Sequence, residues 1–382
     1  MKKGAILLTT LLCMAAVPDA GAQEVRGFMP VFYEQLKASL DYPLSRENCA
    51  SLSFRRWQKK GIAKVYECLT PAPPEAESWD MEVLDSERRA GYTAQKIVFN
   101  VNAWCRVKAY LLIPDGDGPH PAVLALHDHG AHFTIGKEKM VRPFGVSPEI
   151  ADDAVSWAKA NYDGEFVGDR LAEHGYVVLA VDALFWGDRG REEGPDYNVQ
   201  QALNSNLQQM GMSLGSFIVW DDLRSAEFLA GLPFVDEGRI ATLGHSMGSH
   251  RAWMTCALSS HINACVAVCW MNTTEHLMTM DNNQNKGGSA YTMIIPGLRN
   301  WLDYPDVASL ACPKPVYFMN GSKDKLFPVE GVKDAYARMR KVWEERGAAS
   351  DFHSRIYDGP HFFSKDMQDE AIRFLDEAFE LK

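Results

Sequence analysis

The sequence predicts an α/β domain: a mostly parallel central sheet with helices on both faces, preceded by a small helical extension. Three observations point there. From Lys96 onward, short β-rich runs alternate with helical stretches. The first two of these runs, 96–101 and 106–113, are joined only by Asn102-Ala103-Trp104-Cys105, so they form a hairpin. A later run, 240–245, leads directly into Gly244-His245-Ser246-Met247-Gly248 and then into a helix-like stretch. Strand, G-x-S-x-G, helix is the pattern of a tight turn that lifts a serine hydroxyl above the sheet edge. Residues two before and two after the serine must be small there, and both are glycine.

The elements follow in chain order. Residues 1–22 read as an export signal, with Lys2 and Lys3 ahead of an apolar stretch and Ala20-Gly21-Ala22 at a small-x-small cleavage site. This predicts a periplasmic or secreted protein. Residues 23–75 form the helical extension, with apolar residues at helical spacing over 28–40 and 54–69. Pro71-Ala72-Pro73-Pro74-Glu75 then breaks the pattern. The catalytic domain is assigned to 76–382. After the hairpin, strands are expected at 122–127, 177–182, 240–245, 264–270, 315–320 and 352–357. Helices are expected at 166–174, 216–232, 248–259, 329–345 and 365–381. Three long connections, 131–162, 187–215 and 272–304, all follow strands. They should therefore rise at the carboxyl edge of the sheet, where open α/β sheets bind ligands. Residues 198–209 are rich in amides, and Trp186, Tyr197 and Trp301 lie in or beside these connections. Amides and flat aromatic faces suit sugar rings, which makes Trp186 and Trp301 candidate substrate-binding residues.

The 382-residue chain has a formal net charge of −11. That disfavours nucleic acid or an anionic membrane as partner and favours a neutral substrate. No stretch after the leader is long and apolar enough to span a bilayer. Of eight cysteines, Cys13 falls in the leader, and the odd number left requires at least one free thiol. Cys49–Cys68 is a candidate disulfide. Cys265 and Cys269 sit in an apolar strand and read as buried thiols.

A serine hydroxyl needs a base within hydrogen-bond reach, and the base needs an orienting acid. The best acid downstream is Asp324 in Asn320-Gly321-Ser322-Lys323-Asp324, where a strand ends and a glycine turns the chain. Asp303, Asp306 and Asp358 compete less well for that place. The base is His361 in Gly359-Pro360-His361, after the last strand and before the final helix. His353, His276 and His245 are the alternatives, with His245 read as a packing residue. The oxyanion should be held by the backbone amide of Met247 and by one from the loop Leu126-His127-Asp128-His129-Gly130, His129 ahead of Asp128.

From Lys96 to its end the chain resembles the dienelactone-hydrolase-like branch of the α/β-hydrolases. Within that branch it is similar to bacterial acetyl xylan esterase-like proteins. The likeness rests on His127-Asp128-His129-Gly130, Val181-Asp182-Ala183 with Gly187-Asp188, and Trp220-Asp221-Asp222. It rests also on the serine turn and on the two segments that hold Asp324 and His361. The resemblance implies a Ser246–His361–Asp324 triad and an acyl-enzyme that removes acetyl groups from plant-type polysaccharides or oligosaccharides, with no cofactor. The chain departs from the commoner pattern at Ser249, where a second glycine often stands.

Other readings use the same residues. A peptidase or another acyl hydrolase of this fold would share the triad. His127, His129 and His132 form H-x-H-x-x-H after a strand, a partial metallohydrolase pattern. Ala131, however, stands where that pattern wants Asp, and no further ligands are evident. A catalytically silent binding module would need no triad at all.

Overall fold

The computed structural model describes residues 30–69, 71–190, 194, 196–279 and 292–381. The segment expected to be an export leader and parts of the second and third long connections lie outside the described residues. Two compact units are distinguished, Met1–Ser39 and Leu40–Lys382. In the first, the described residues form one helix, α1 (Pro30–Ala38).

The second unit is built on one nine-stranded sheet of order β1-β2-β3-β5-β4-β6-β7-β8-β9. The strands are β1 (Glu82–Arg89), β2 (Tyr92–Asn102), β3 (Cys105–Pro114), β4 (His120–Leu126), β5 (Val177–Val181), β6 (Val235–His245), β7 (Ala264–Val268), β8 (Val316–Gly321) and β9 (Phe352–Tyr357). The first three pair antiparallel, β3 meets β5 antiparallel, and every later pairing is parallel. The hairpin turns at Ala103-Trp104, with Asn102 opposite Cys105. Strand β1 has no counterpart among the expected runs. All but its last residue are exposed, so it carries no apolar alternation to read.

Side-chain alternation splits the core in two. Ala122, Leu124 and Leu126 of β4 join one apolar cluster, while Val123 and Ala125 join the other across the sheet. Strand β7 divides in the same way, Cys265 and Ala267 against Ala264, Val266 and Val268. This is the period-2 geometry of a strand covered on both faces. The covering helices include α2 (Phe54–Cys68), α4 (Val167–Glu173), α6 (Leu214–Ala230), α7 (Met247–Leu258), α10 (Val329–Arg346) and α11 (Lys365–Ala378).

The long connections, and the stretch just past the third, hold helices beyond those expected: α3 (Pro148–Asn161), α5 (Tyr197–Gln208), α8 (Thr274–Leu277) and α9 (Tyr304–Ser309). For α3 a start signal was present. Ser147 caps it, accepting from the Ile150 amide, and Pro148 occupies the first turn. Above the carboxyl edge the three connections meet in a third apolar cluster of Phe133, Trp186, Leu207, Met212 and Met293, with Met247 beneath them.

Helix α2 is part of the main core. Trp57, Val65 and Leu69 are fully buried in the larger cluster, and the Trp57 indole donates to the Leu44 carbonyl at 2.9 Å. All seven cysteines beyond the leader are free thiols, so Cys49 and Cys68 are not joined. Trp57→Ala should cost about 3–5 kcal/mol, read as a lower urea midpoint. An unchanged midpoint would show that α2 is dispensable to the domain.

Candidate active site

The serine turn is set by steric exclusion. A Cβ on Gly244 would lie 2.2 Å from the Gly248 carbonyl oxygen, and one on Gly248 would lie 1.9 Å from that of Leu126. With both absent, Ser246 takes φ 56° and ψ −121°, a conformation that L residues rarely hold. Its amide donates to Val268 O at 2.8 Å, which ties the turn to β7. Ser249 is buried, and its hydroxyl donates to the Trp270 carbonyl at 3.3 Å, so a serine serves where glycine is commoner. Met247 begins α7, where no preceding turn supplies an acceptor for its N–H.

Two loops bring the acid and base together. Gly321 ends β8 directly beneath the 359–360 backbone, where a Cβ would lie 2.2 Å from the Pro360 carbonyl oxygen. The amides of Ser322 and Lys323 donate to Tyr357 O and Gly359 O, zipping the segments side by side. Asp324 is buried. One of its oxygens accepts from the amides of Leu326 and Phe327, and the other meets His361 Nδ1 at 2.7 Å. Phe327 stacks on the His361 ring at 5.9 Å between centroids. Ser246, Met247, His129 and His361 line a single cavity of about 280 Å³. The competing groups are engaged elsewhere. Asp303 caps α9 and pairs with Arg338, Asp358 meets Lys323, and His353 faces Ser350 O.

The loop 127–130 rests on a buried ion pair. The Lys139 ammonium, fully enclosed, donates to Asp128 O and His129 O, each at 3.1 Å, and meets Asp128 Oδ1 at 3.3 Å. Across a trans peptide the following N–H points opposite to the carbonyl. Holding Asp128 O on the lysine side therefore turns the His129 N–H to the other side. Tyr162 and Trp157 donate to Asp128 Oδ2 at 2.6 and 3.0 Å. Burial pushes the Asp128 carboxyl up, but Lys139 and these donors outweigh it and hold it well below the usual carboxylate range.

Trp186 is fully buried behind this loop and donates to His129 O at 3.2 Å. Trp301 lies under the Lys64 ammonium, 4.0 Å from its ring centre. Neither is among the residues that line the cavity. The turn Trp186 N to Ala183 O folds the first one inward. The amides of α5 also turn inward. Asn204 accepts from the Leu214 amide, and Gln200 hydrogen-bonds the His129 side chain. The groups facing the cavity that went unrecognised are Trp157 and Asn161 of α3, Trp270, Leu277, Met293 and Phe327. Nothing in spacing marks them, because they converge from four separate segments.

His127, His129 and His132 do not converge as ligands. His127 Nε2 accepts from the Ala183 amide, His129 Nδ1 from the Ala131 amide, and His132 pairs with Asp153 at 2.6 Å. The other motif residues carry structural ties. Asp222 forms a fully buried pair with Arg251 of α7, Asp221 meets Arg189, and Asp182 accepts from Lys137 and the Asp188 amide.

An antiparallel hairpin, a parallel sheet and a strained serine turn at its carboxyl edge define a hydrolase of the α/β class. The chain belongs to the Abhydrolase family, whose model matches residues 20–355. It is 27% identical to YtaP of Bacillus subtilis, a protein provisionally classed as a hydrolase, over 79% of this chain and 93% of that one. Its fold resembles a protein of Bacteroides fragilis provisionally classed as an acetyl xylan esterase, with TM-score 0.67 and 21% identity over 89% of this chain and 83% of that one. A glucuronoyl esterase from Solibacter usitatus aligns with TM-score 0.60 and 14% identity, over 84% and 92%. No described helix is long and apolar enough to cross a membrane.

Two predictions follow from the polar scaffold. Lys139→Met leaves Asp128 buried without its cation, which should cost about 3–5 kcal/mol in urea unfolding. A loss under about 0.5 kcal/mol would mean that the pair is not a support. Burial also keeps four imidazoles neutral: His127, held well below its ordinary value, His129 at about 4, and His245 and His250 at about 3. Below about pH 6.5 the unfolded chain takes up protons that these rings refuse, so stability falls as pH falls. Each ring should contribute up to about 1.4 kcal/mol per pH unit in that window. The melting temperature should drop between about pH 7 and 5, and His250→Gln should make the drop shallower.

Proposed function

We propose that this chain is a serine carboxylester hydrolase that deacetylates plant-type polysaccharides or their oligosaccharides. One observation carries the reading: a strained serine and a carboxylate-held histidine open onto the same cavity. Ser246 Oγ attacks the ester carbonyl while His361 takes its proton. Asp324 holds the imidazole in the needed tautomer and stabilises its charged form. The amides of Met247 and His129 receive the oxyanion. His361 then returns the proton to the departing sugar hydroxyl, and water, activated by the same ring, releases the acyl group.

The cavity supports a short acyl group. At about 280 Å³ it falls at the small end of ligand pockets, which run from roughly 300 to 1,000 Å³. Trp270, Leu277, Met293 and Phe327 give it an apolar wall. Structural neighbours named as esterases fit this reading, as do the export leader and the acidic chain, which suit a neutral substrate outside the cytoplasm.

Acetylated xylan, pectin and aryl acetates should be compared with wild type and Ser246→Ala. Acetate release should fall at least about a thousandfold in the variant, and a fluorophosphonate should label only the wild type. Hydrolysis retained by Ser246→Ala would remove the assignment. Release from aryl acetates alone would remove the polysaccharide part.

A further inference from the structure

His245, Cys269 and His361 face one another beneath the serine turn, and the proposed chemistry uses only the last. One potential ligand atom from each lies within 4.8 Å of the other two. Among the described residues no other group of three His, Cys, Asp or Glu side chains gathers in this way.

A second observation is independent of that grouping. Both ring nitrogens of His245 are buried and lack a hydrogen-bond partner. Buried polar groups without partners cost about 1–3 kcal/mol and are uncommon. The ring stands 4.8 Å from that of His361, centre to centre, with Tyr162 and Phe363 packed on its other sides. Cys269 follows β7 with φ 58°, and its thiol lies 3.7 Å from Phe362 O, in the segment that carries His361.

We propose that these three side chains form an inhibitory site for Zn²⁺, entered through the substrate cavity. Two imidazoles and a thiolate are ligands that Zn²⁺ favours, with water completing a tetrahedron. At bond lengths of about 2.0–2.1 Å to nitrogen and 2.3 Å to sulfur, ligand atoms stand roughly 3.5 Å apart. The groups must therefore close by about 1 Å, and His361, on a loop and partly exposed, can supply the movement. Both His245 and His361 line the cavity, so an ion has a route in. On binding, the Cys269 S–H bond breaks, its proton leaves to solvent and the sulfur lone pair forms the Zn–S bond. His361 gives its free pair to the metal. If that pair is on the nitrogen toward Ser246, the serine loses its base. If it is on the nitrogen toward Asp324, the base loses its orienting partner.

The inhibition rests on the esterase reading, but the binding does not, and two readouts keep them apart. Co²⁺ added to the full chain should bind one ion per molecule and give a thiolate-to-cobalt charge-transfer band in the near ultraviolet. Ser246→Ala should keep that band, since it retains all three ligands. Cys269→Ser should lose it and bind Zn²⁺ at least about tenfold more weakly in equilibrium dialysis. His245→Gln should do the same if the cysteine variant does not fold. In the active protein, Zn²⁺ should inhibit in competition with substrate, each variant being compared with its own metal-free rate. Absence of the cobalt band from wild type, or equal zinc sensitivity in wild type and Cys269→Ser, would overturn the site.

Discussion

The site depends on a close approach of backbones. Strand β6 and helix α7 pass so near β4 that there is no room for a side chain on Gly248, and Gly244 is pressed against Gly248 in turn. This contact forces Ser246 into its unusual conformation, and the strain is paid for by the surrounding sheet. A serine on a relaxed loop would sample many orientations. Here the hydroxyl, the start of α7 and the Met247 amide are fixed as one unit, because α7 is buried along its whole length. A similar exclusion at Gly321 fixes where the segment before His361 crosses the end of β8.

Above that frame, buried charges hold the loops. Lys139 with Asp128 and Lys137 with Asp182 each tie a connection to a strand end, and Arg251 with Asp222 ties α7 to α6. Such pairs add little net stability compared with apolar packing, since both ions must be stripped of water. Their value is directional. An ammonium that must satisfy two carbonyls and a carboxylate allows one loop conformation, and an oxyanion site needs a single conformation set before substrate arrives. The same region leaves both ring nitrogens of the buried His245 without a hydrogen-bond partner among the described residues.

Most of the sheet was legible because its strands are buried on both faces and read as apolar runs between turn residues. Strand β1 was not, since an exposed edge strand such as Glu-Val-Leu-Asp-Ser-Glu-Arg-Arg has no buried face to pattern. The helices of the long connections were hidden for a related reason. In α5 the buried positions are Gln200, Asn204 and Leu207, so polar residues occupy the inward face. The direction in which an aromatic side chain points is not carried by its place in the sequence. Trp186 follows β5 closely, yet a single turn points it into the loop core rather than toward ligand.

By itself the sequence determined the fold class, the serine turn, and the placing of Asp324 and His361 just past strand ends downstream of it. These are local properties: alternation, glycine spacing, and a polar residue just past a strand end. The tertiary structure alone decided which side chains wall the cavity, how the loop 127–130 is braced, and that the H-x-H-x-x-H histidines part company. Those depend on segments far apart in the chain meeting above the sheet, and on which hydrogen-bond partners each group finds there. Short-range pattern holds no record of such meetings, because the energy that selects them is shared among residues that are neighbours only after folding.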